Sequence, residues 1–116
     1  MKDFQRMYKK LNVNPGETKT LVISRTEAAN NRFTFVFSGV DHADVRVHAK
    51  ILISVGAENE KINLLDESGG IRALNCGPYA CIVIIDFPIV SDIEVILMGW
   101  TKINRIISLG IHAGND

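Results

Sequence analysis

The chain has 116 residues, 47% hydrophobic and 22% charged, with thirteen basic and thirteen acidic residues that cancel. That size and balance describe one domain able to bury about two-thirds of its unfolded surface, and they exclude a disordered chain or one that needs metal or disulfides to fold. A net charge of zero supplies no overall field toward nucleic acid or an anionic membrane, so neither is expected as a partner.

Fifteen Ile and ten Val against eight Leu favour strands, because β-branched side chains lose rotamer freedom in helices and fit a pleated surface. The longest apolar run, Ala80-Cys81-Ile82-Val83-Ile84-Ile85 before Asp86, is far shorter than the roughly 20 residues of a membrane helix. The first residues carry charges with no apolar stretch behind them, so a cytoplasmic, unsecreted product is expected.

In chain order, Phe4, Met7, Tyr8 and Leu11 recur at helical spacing, predicting a short helix or an ordered arm over residues 1–14, with the sandwich domain over 15–116. Asn14-Pro15-Gly16 reads as a turn, residues 18–24 as a strand, and the polar residues 25–31 as a loop. Phe33, Phe35 and Phe37 at period two form an aromatic core stripe.

Val45, Val47, Ala49, Ile51, Ile53 and Val55 then alternate with Asp44, Arg46, His48, Lys50 and Ser54, predicting one long half-exposed strand with His48 on its solvent face. Turns are expected over 56–59 and 66–70, with strands over 61–65, 71–76, 80–87, 93–98 and 102–111. About eight strands, with turn signals every 8 to 12 residues, predict an all-β, two-sheet antiparallel sandwich. Cys76 and Cys81 flank Gly77-Pro78-Tyr79-Ala80, a spacing that permits a disulfide; in a reducing compartment free, packed thiols are expected.

Two strands carry more apolar residues than one core needs. Over 80–87, Ile82 and Ile84 lie on one face and Cys81, Val83, Ile85 and Phe87 on the other; over 93–100, Ile93, Val95 and Leu97 oppose Ile96, Met98 and Trp100. The second faces are expected to be covered either by the N-terminal helix or a long loop of the same chain, or by another chain.

Chemistry-bearing clusters are sparse. Asp41, His42, Asp44 and His48 are the one group of possible metal ligands, but they divide between a turn and a strand face and need not converge. The three histidines include no His-x-His pair, and no Gly-x-Ser-x-Gly organises a nucleophile. Glu58-Asn59-Glu60, Asp66-Glu67 and Gly69-Gly70 read as solvated turns. The first ten residues carry four basic residues against Asp3, without the further basic and aromatic clusters that nucleic-acid binding needs. No enzyme activity, cofactor or metal is expected.

The short segment before Asn14-Pro15-Gly16, the alternation Val45-Arg46-Val47-His48-Ala49 and the apolar strands near the C-terminus resemble the small head decoration (cement or staple) proteins of tailed bacteriophages. The resemblance covers the whole chain as a profile, without a diagnostic motif. It implies a jelly-roll-like fold, a place on the virion surface and a role clamping neighbouring subunits of the major capsid protein, with a homo-oligomer expected. Phe4, Met7, Tyr8, Val83, Ile85, Ile96, Met98 and Trp100 are the interface residues expected from the sequence. The competing reading is a ligand-binding sandwich, such as a carbohydrate-binding or tail-fibre domain, using Tyr8, Tyr79 and Trp100.

Overall fold

Three phenylalanines set the inside of the molecule. In the computed structural model, which describes residues 7–28, 31–55, 60–66, 71–102 and 104–114, Phe33, Phe35 and Phe37 are fully buried on one face of a strand while Arg32 and Ser38 are exposed on the other. That strand lies opposite Ile85, Val83 and Cys81 on one side and Ala113, Ile111 and Leu109 on the other. The aromatic face thus fixes which face of both neighbours is internal.

Nine strands are found among the described residues: β1 (Met7–Val13), β2 (Thr18–Ile23), β3 (Asn31–Ser38), β4 (Ala49–Val55), β5 (Glu60–Asn63), β6 (Ile71–Gly77), β7 (Ala80–Ile89), β8 (Ile93–Met98) and β9 (Ile107–Gly114). They form two antiparallel sheets of order β1-β9-β3-β7-β6 and β2-β8-β4-β5. The protein is an all-β two-sheet sandwich. With β6 set aside as the hairpin partner of β7, the remaining eight strands run β1-β9-β3-β7 against β2-β8-β4-β5, the order of a jelly roll. The core between the sheets joins Ile23, Ile51, Ile93, Val95 and Leu97 to Phe33, Phe35, Phe37, Val83, Ile85, Leu109 and Ile111.

Of the two expectations for the N-terminal segment, a short helix or an ordered arm, the helix is corrected: Met7–Val13 is the edge strand β1, paired along its length with β9. Met7, Leu11 and Val13 face inward and Tyr8, Lys10 and Asn12 outward. Lys9 interrupts the inward row and bonds Glu27 at 3.2 Å, so a charge on the apolar parity disguised the alternation. Phe4, the turn expected over 56–59 and all but Asp66 of the turn expected over 66–70 lie outside the described residues.

The long strand expected over 44–55 is also corrected. A helical turn, α1 (Arg25–Ala28), lies in the expected loop, and a 3-10 turn (His42–Asp44) followed by a second helical turn, α2 (Val45–His48), precedes β4. Val45 and His48 are buried while Arg46 and Val47 are exposed, the i, i+3 signature of one helical turn rather than a strand. In α1, Ser24 Oγ accepts from the Glu27 N–H and the Glu27 carboxylate accepts from the Ser24 N–H, each at 3.3 Å, a capping box that nucleates the turn. The expected strand over 61–65 divides into β5 and a 3-10 turn (Leu64–Asp66), and the last strand starts at Ile107 rather than at residue 102.

Candidate interaction surface

Pairing register orders the middle of the outer face of the five-stranded sheet. One cross-strand row reads Tyr8, His112, Thr34, Ile84; the next reads Lys10, Gly110, Val36, Ile82, Leu74; a third reads Asn12, Ser108, Ser38, Ala80. Thr34, Val36, Ala80, Ile82 and Ile84 are half-buried and Leu74 is 45% exposed. The centre of this face is uncharged, with β-branched side chains at its middle, while Lys10 on β1, Arg32 on β3 and Asp86 on β7 carry charges around it. Such a patch is unusual as permanently wet surface. Two features stiffen its β1 end: the Tyr8 ring tilts against His112 with centroids 4.7 Å apart, and Ser108 Oγ donates to Asn12 Oδ1 at 2.6 Å.

The outer face of the four-stranded sheet is different. Its rows are Thr18, Met98; Thr20, Ile96, Lys50; and Val22, Glu94, Leu52, Asn63, and Lys61 bridges to Glu94 at 2.9 Å. Charges of both signs are interspersed there, the pattern of ordinary solvated surface.

The sequence-predicted interface residues therefore divide. Val83 and Ile85 are 1% exposed and lie in the core opposite Phe35 and Phe33, so they are corrected to inner-face residues; the open face of β7 is Ile82 and Ile84. Ile96 and Met98 lie half-buried on the charged outer face of the other sheet, and Met7 packs partly on the core. Tyr8, 59% exposed, is the one expected residue on the uncharged face. Val36, Ile82, Ile84 and Leu74 belong to the patch and were missed; the signal that finds them is the pairing of β7 with the aromatic stripe, which a linear sequence does not display.

Trp100 follows β8 and lines an open recess of about 340 Å³ with Thr101 and Lys102. Its indole packs on the His48 imidazole, with centroids 4.2 Å apart. His48 is fully buried rather than solvent-facing, and its Nδ1 donates to the Met98 carbonyl oxygen at 3.0 Å. Asp41 accepts the Tyr79 N–H at 2.9 Å, pinning the β6–β7 turn, and Arg105 lies 3.6 Å from the centroid of the Tyr79 ring. Two members of the sequence-level ligand cluster, His48 and Asp41, are thus occupied structurally; the His42 side chain lies outside the described residues. Among the described residues no group of three or more His, Cys, Asp and Glu side chains is arranged to hold a metal ion.

Cys76 and Cys81 are free thiols, the first exposed and the second buried. Burial pushes the Cys81 thiol above its ordinary value, and the neighbouring Cys76 adds to the shift. No protein-family model matches the chain, and no curated protein or solved structure matches it either.

Proposed function

We propose that this sandwich is a structural, non-catalytic protein of a bacteriophage head that docks the outer face of its five-stranded sheet on the shell and bridges neighbouring subunits of the major capsid protein. The observation that carries the reading is the uncharged, half-apolar centre of that face, built from Val36, Ile82, Ile84 and Leu74 on a jelly-roll frame. A flat sheet face is preorganised, so docking orders few side chains and loses little conformational entropy. Tyr8, amphipathic and exposed at the rim, is the anchor expected to contribute most per residue.

The mechanism is surface complementarity. Area buried across the joint between two shell subunits raises the free energy needed to separate them, and repetition over the lattice multiplies the gain. The choice of the major capsid protein as partner and of the virion surface as location rests on the profile resemblance to phage decoration proteins. The sugar-binding reading is not supported by the placement of its aromatics: Tyr8 lies at the β1 edge, Tyr79 at the β6–β7 turn and Trp100 beyond the end of the opposite sheet, so they form no common platform.

The test is co-sedimentation with expanded, undecorated heads assembled from the major capsid protein encoded in the same genome. The protein is expected to pellet with heads and raise their thermal disruption temperature, and Ile82→Lys is expected to abolish both effects without unfolding the sandwich. Failure to pellet, or pelleting unchanged by Ile82→Lys, overturns the reading.

A further inference from the structure

The geometry points to Cys76 and Cys81 as a redox pair: a peroxide acting on the exposed Cys76 converts the two thiols into a disulfide that staples the β6–β7 hairpin. Asn75 faces Cys81 and Gly77 faces Ala80, with a register shift between Asn75 and Gly77. Cys76 is therefore the extra residue of a β-bulge, and two residues of β6, Asn75 and Cys76, stand against the single Cys81. Directly opposed residues of an antiparallel pair have Cα atoms about 4.5–5.5 Å apart, within the span of about 4.4–6.8 Å that a disulfide bridges. The bulge brings Cys76 to that same partner.

The frame around the pair is held by bonds on both sides. Asn75 Oδ1 accepts from the Gly77 N–H at 3.2 Å, closing a side-chain turn around Cys76. At the tip, the Tyr79 N–H donates to Asp41 at 2.9 Å and the Tyr79 carbonyl accepts from the Gly39 N–H at 2.8 Å. Closing the bond thus orders little further chain. In the reduced protein the Cys76 thiol donates to the Leu74 carbonyl oxygen at 3.8 Å; thiols are weak donors, so turning it toward Cys81 sacrifices little. Burial, and after it the neighbouring Cys76, raise the Cys81 thiol, so the two groups already interact.

The two thiols have different access and so different roles. Cys76 is exposed and Cys81 buried, yet Ala73 and Asn75, which share the inward parity of Val83 and Cys81, are exposed, so water reaches the side from which β6 approaches Cys81. The Cys76 sulfur attacks one peroxide oxygen: an S–O bond forms, the O–O bond breaks, and the leaving hydroxide and the thiol proton become water. The Cys81 sulfur then attacks the Cys76 sulfenic acid, forming the S–S bond while its own proton and the displaced hydroxide become a second water. Two thiols and one peroxide give one disulfide and two waters, and the peroxide takes up two electrons. Cys81 acts as the resolving thiol and need not meet the oxidant. Without it, an exposed sulfenic acid is open to further oxidation or to a thiol of another molecule.

Hydrogen peroxide on the native, fully reduced chain tests this, independently of any shell, with the reaction quenched and thiols counted in denaturant. The expected product is a monomer that has lost both thiols and the mass of two hydrogens, at a rate independent of protein concentration. Dithiothreitol should reverse it, and its thermal midpoint should exceed that of the reduced protein, because the bond closes a loop of the chain. In Cys76→Ser, which alters an exposed thiol, Cys81 should keep its thiol. In Cys81→Ala, Cys76 should instead reach the sulfinic acid or link two molecules. Four results overturn the assignment: oxygen added at Cys76 with Cys81 left free, a disulfide-linked dimer as the main product, closure only in denaturant, or loss of the Cys81 thiol in Cys76→Ser as fast as in the parent.

Discussion

The imidazole of His48 lies against the indole of Trp100, with ring centroids 4.2 Å apart and planes tilted by 49°, and ties the end of α2 to the end of β8 through its bond to the Met98 carbonyl. The ring is fully buried, and its Nε2 has no hydrogen-bond partner among the described residues. His48→Ala removes packing and orphans the carbonyl, so a loss of about 2–4 kcal/mol is expected. His48→Leu should cost less, because it keeps most of the volume and removes the unpartnered Nε2. Trp100 is the sole tryptophan, so urea unfolding followed by its fluorescence reads both variants; a His48→Ala protein as stable as the parent would contradict the packing.

Thiol chemistry should separate the two cysteines. Cys76 is exposed on β6, whereas Cys81 is fully buried and its thiol is held protonated by desolvation. The reactive species is the thiolate. One equivalent of a thiol reagent should therefore react rapidly with the native protein at Cys76, and the second only in denaturant. Rapid labelling of Cys81 by peptide mapping would show that β7 opens far more readily than a central core strand should.

Two glycines with left-handed backbones should respond differently to alanine. Gly39 has φ +90°, and a Cβ there would collide with the Ile106 carbonyl oxygen; Gly77 has φ +128° with open space around it. Gly77→Ala carries only the conformational cost, about 1–3 kcal/mol. Gly39→Ala adds a backbone clash between the end of β3 and the approach to β9, and should be the more damaging by at least about 1 kcal/mol. Equal midpoints in thermal unfolding would mean the Ile106 backbone yields freely.

Much of this architecture is written in local alternation. Phe33, Phe35 and Phe37 mark β3 without ambiguity, and the bounds of β8, Ile93–Met98, coincide with the sequence reading. Alternation fails where its period is shared or interrupted. Val45 and Val47 continue the parity of Ala49 and Ile51, so nothing local reveals that α2 turns His48 inward; in β1, Lys9 occupies an inward position because Glu27 is near. The candidate surface was half legible. Both faces of β7 are apolar, and only non-local pairing with β3 says which is internal. The edge position of β6 is likewise a property of strand order, which no window of sequence contains.

The Lys9–Glu27 contact also makes stability depend on acid. The Lys9 ammonium at 3.2 Å, with the Ser24 N–H second, holds the Glu27 carboxyl below its ordinary value of 4.5. The folded state thus binds the proton less readily than the unfolded one, so the contribution is fully present above the ordinary value and is lost as pH falls below it through the lowered folded value. Glu17 behaves with the same sign but chiefly from a different cause, its hydrogen bond from the Asn14 N–H at 2.8 Å. Salt separates them: an exposed ion pair is screened, while a short hydrogen bond from a neutral amide is screened much less. Thermal midpoints measured from neutral pH down to about pH 3, a window spanning the ordinary carboxylate range, should fall less steeply in Glu27→Gln and in Glu17→Gln than in the parent. In about 1 M salt, where the screening length is about 3 Å, the Glu27→Gln difference should shrink while that of Glu17→Gln largely persists. If salt erased both differences equally, the amide bond would not be the dominant influence on Glu17.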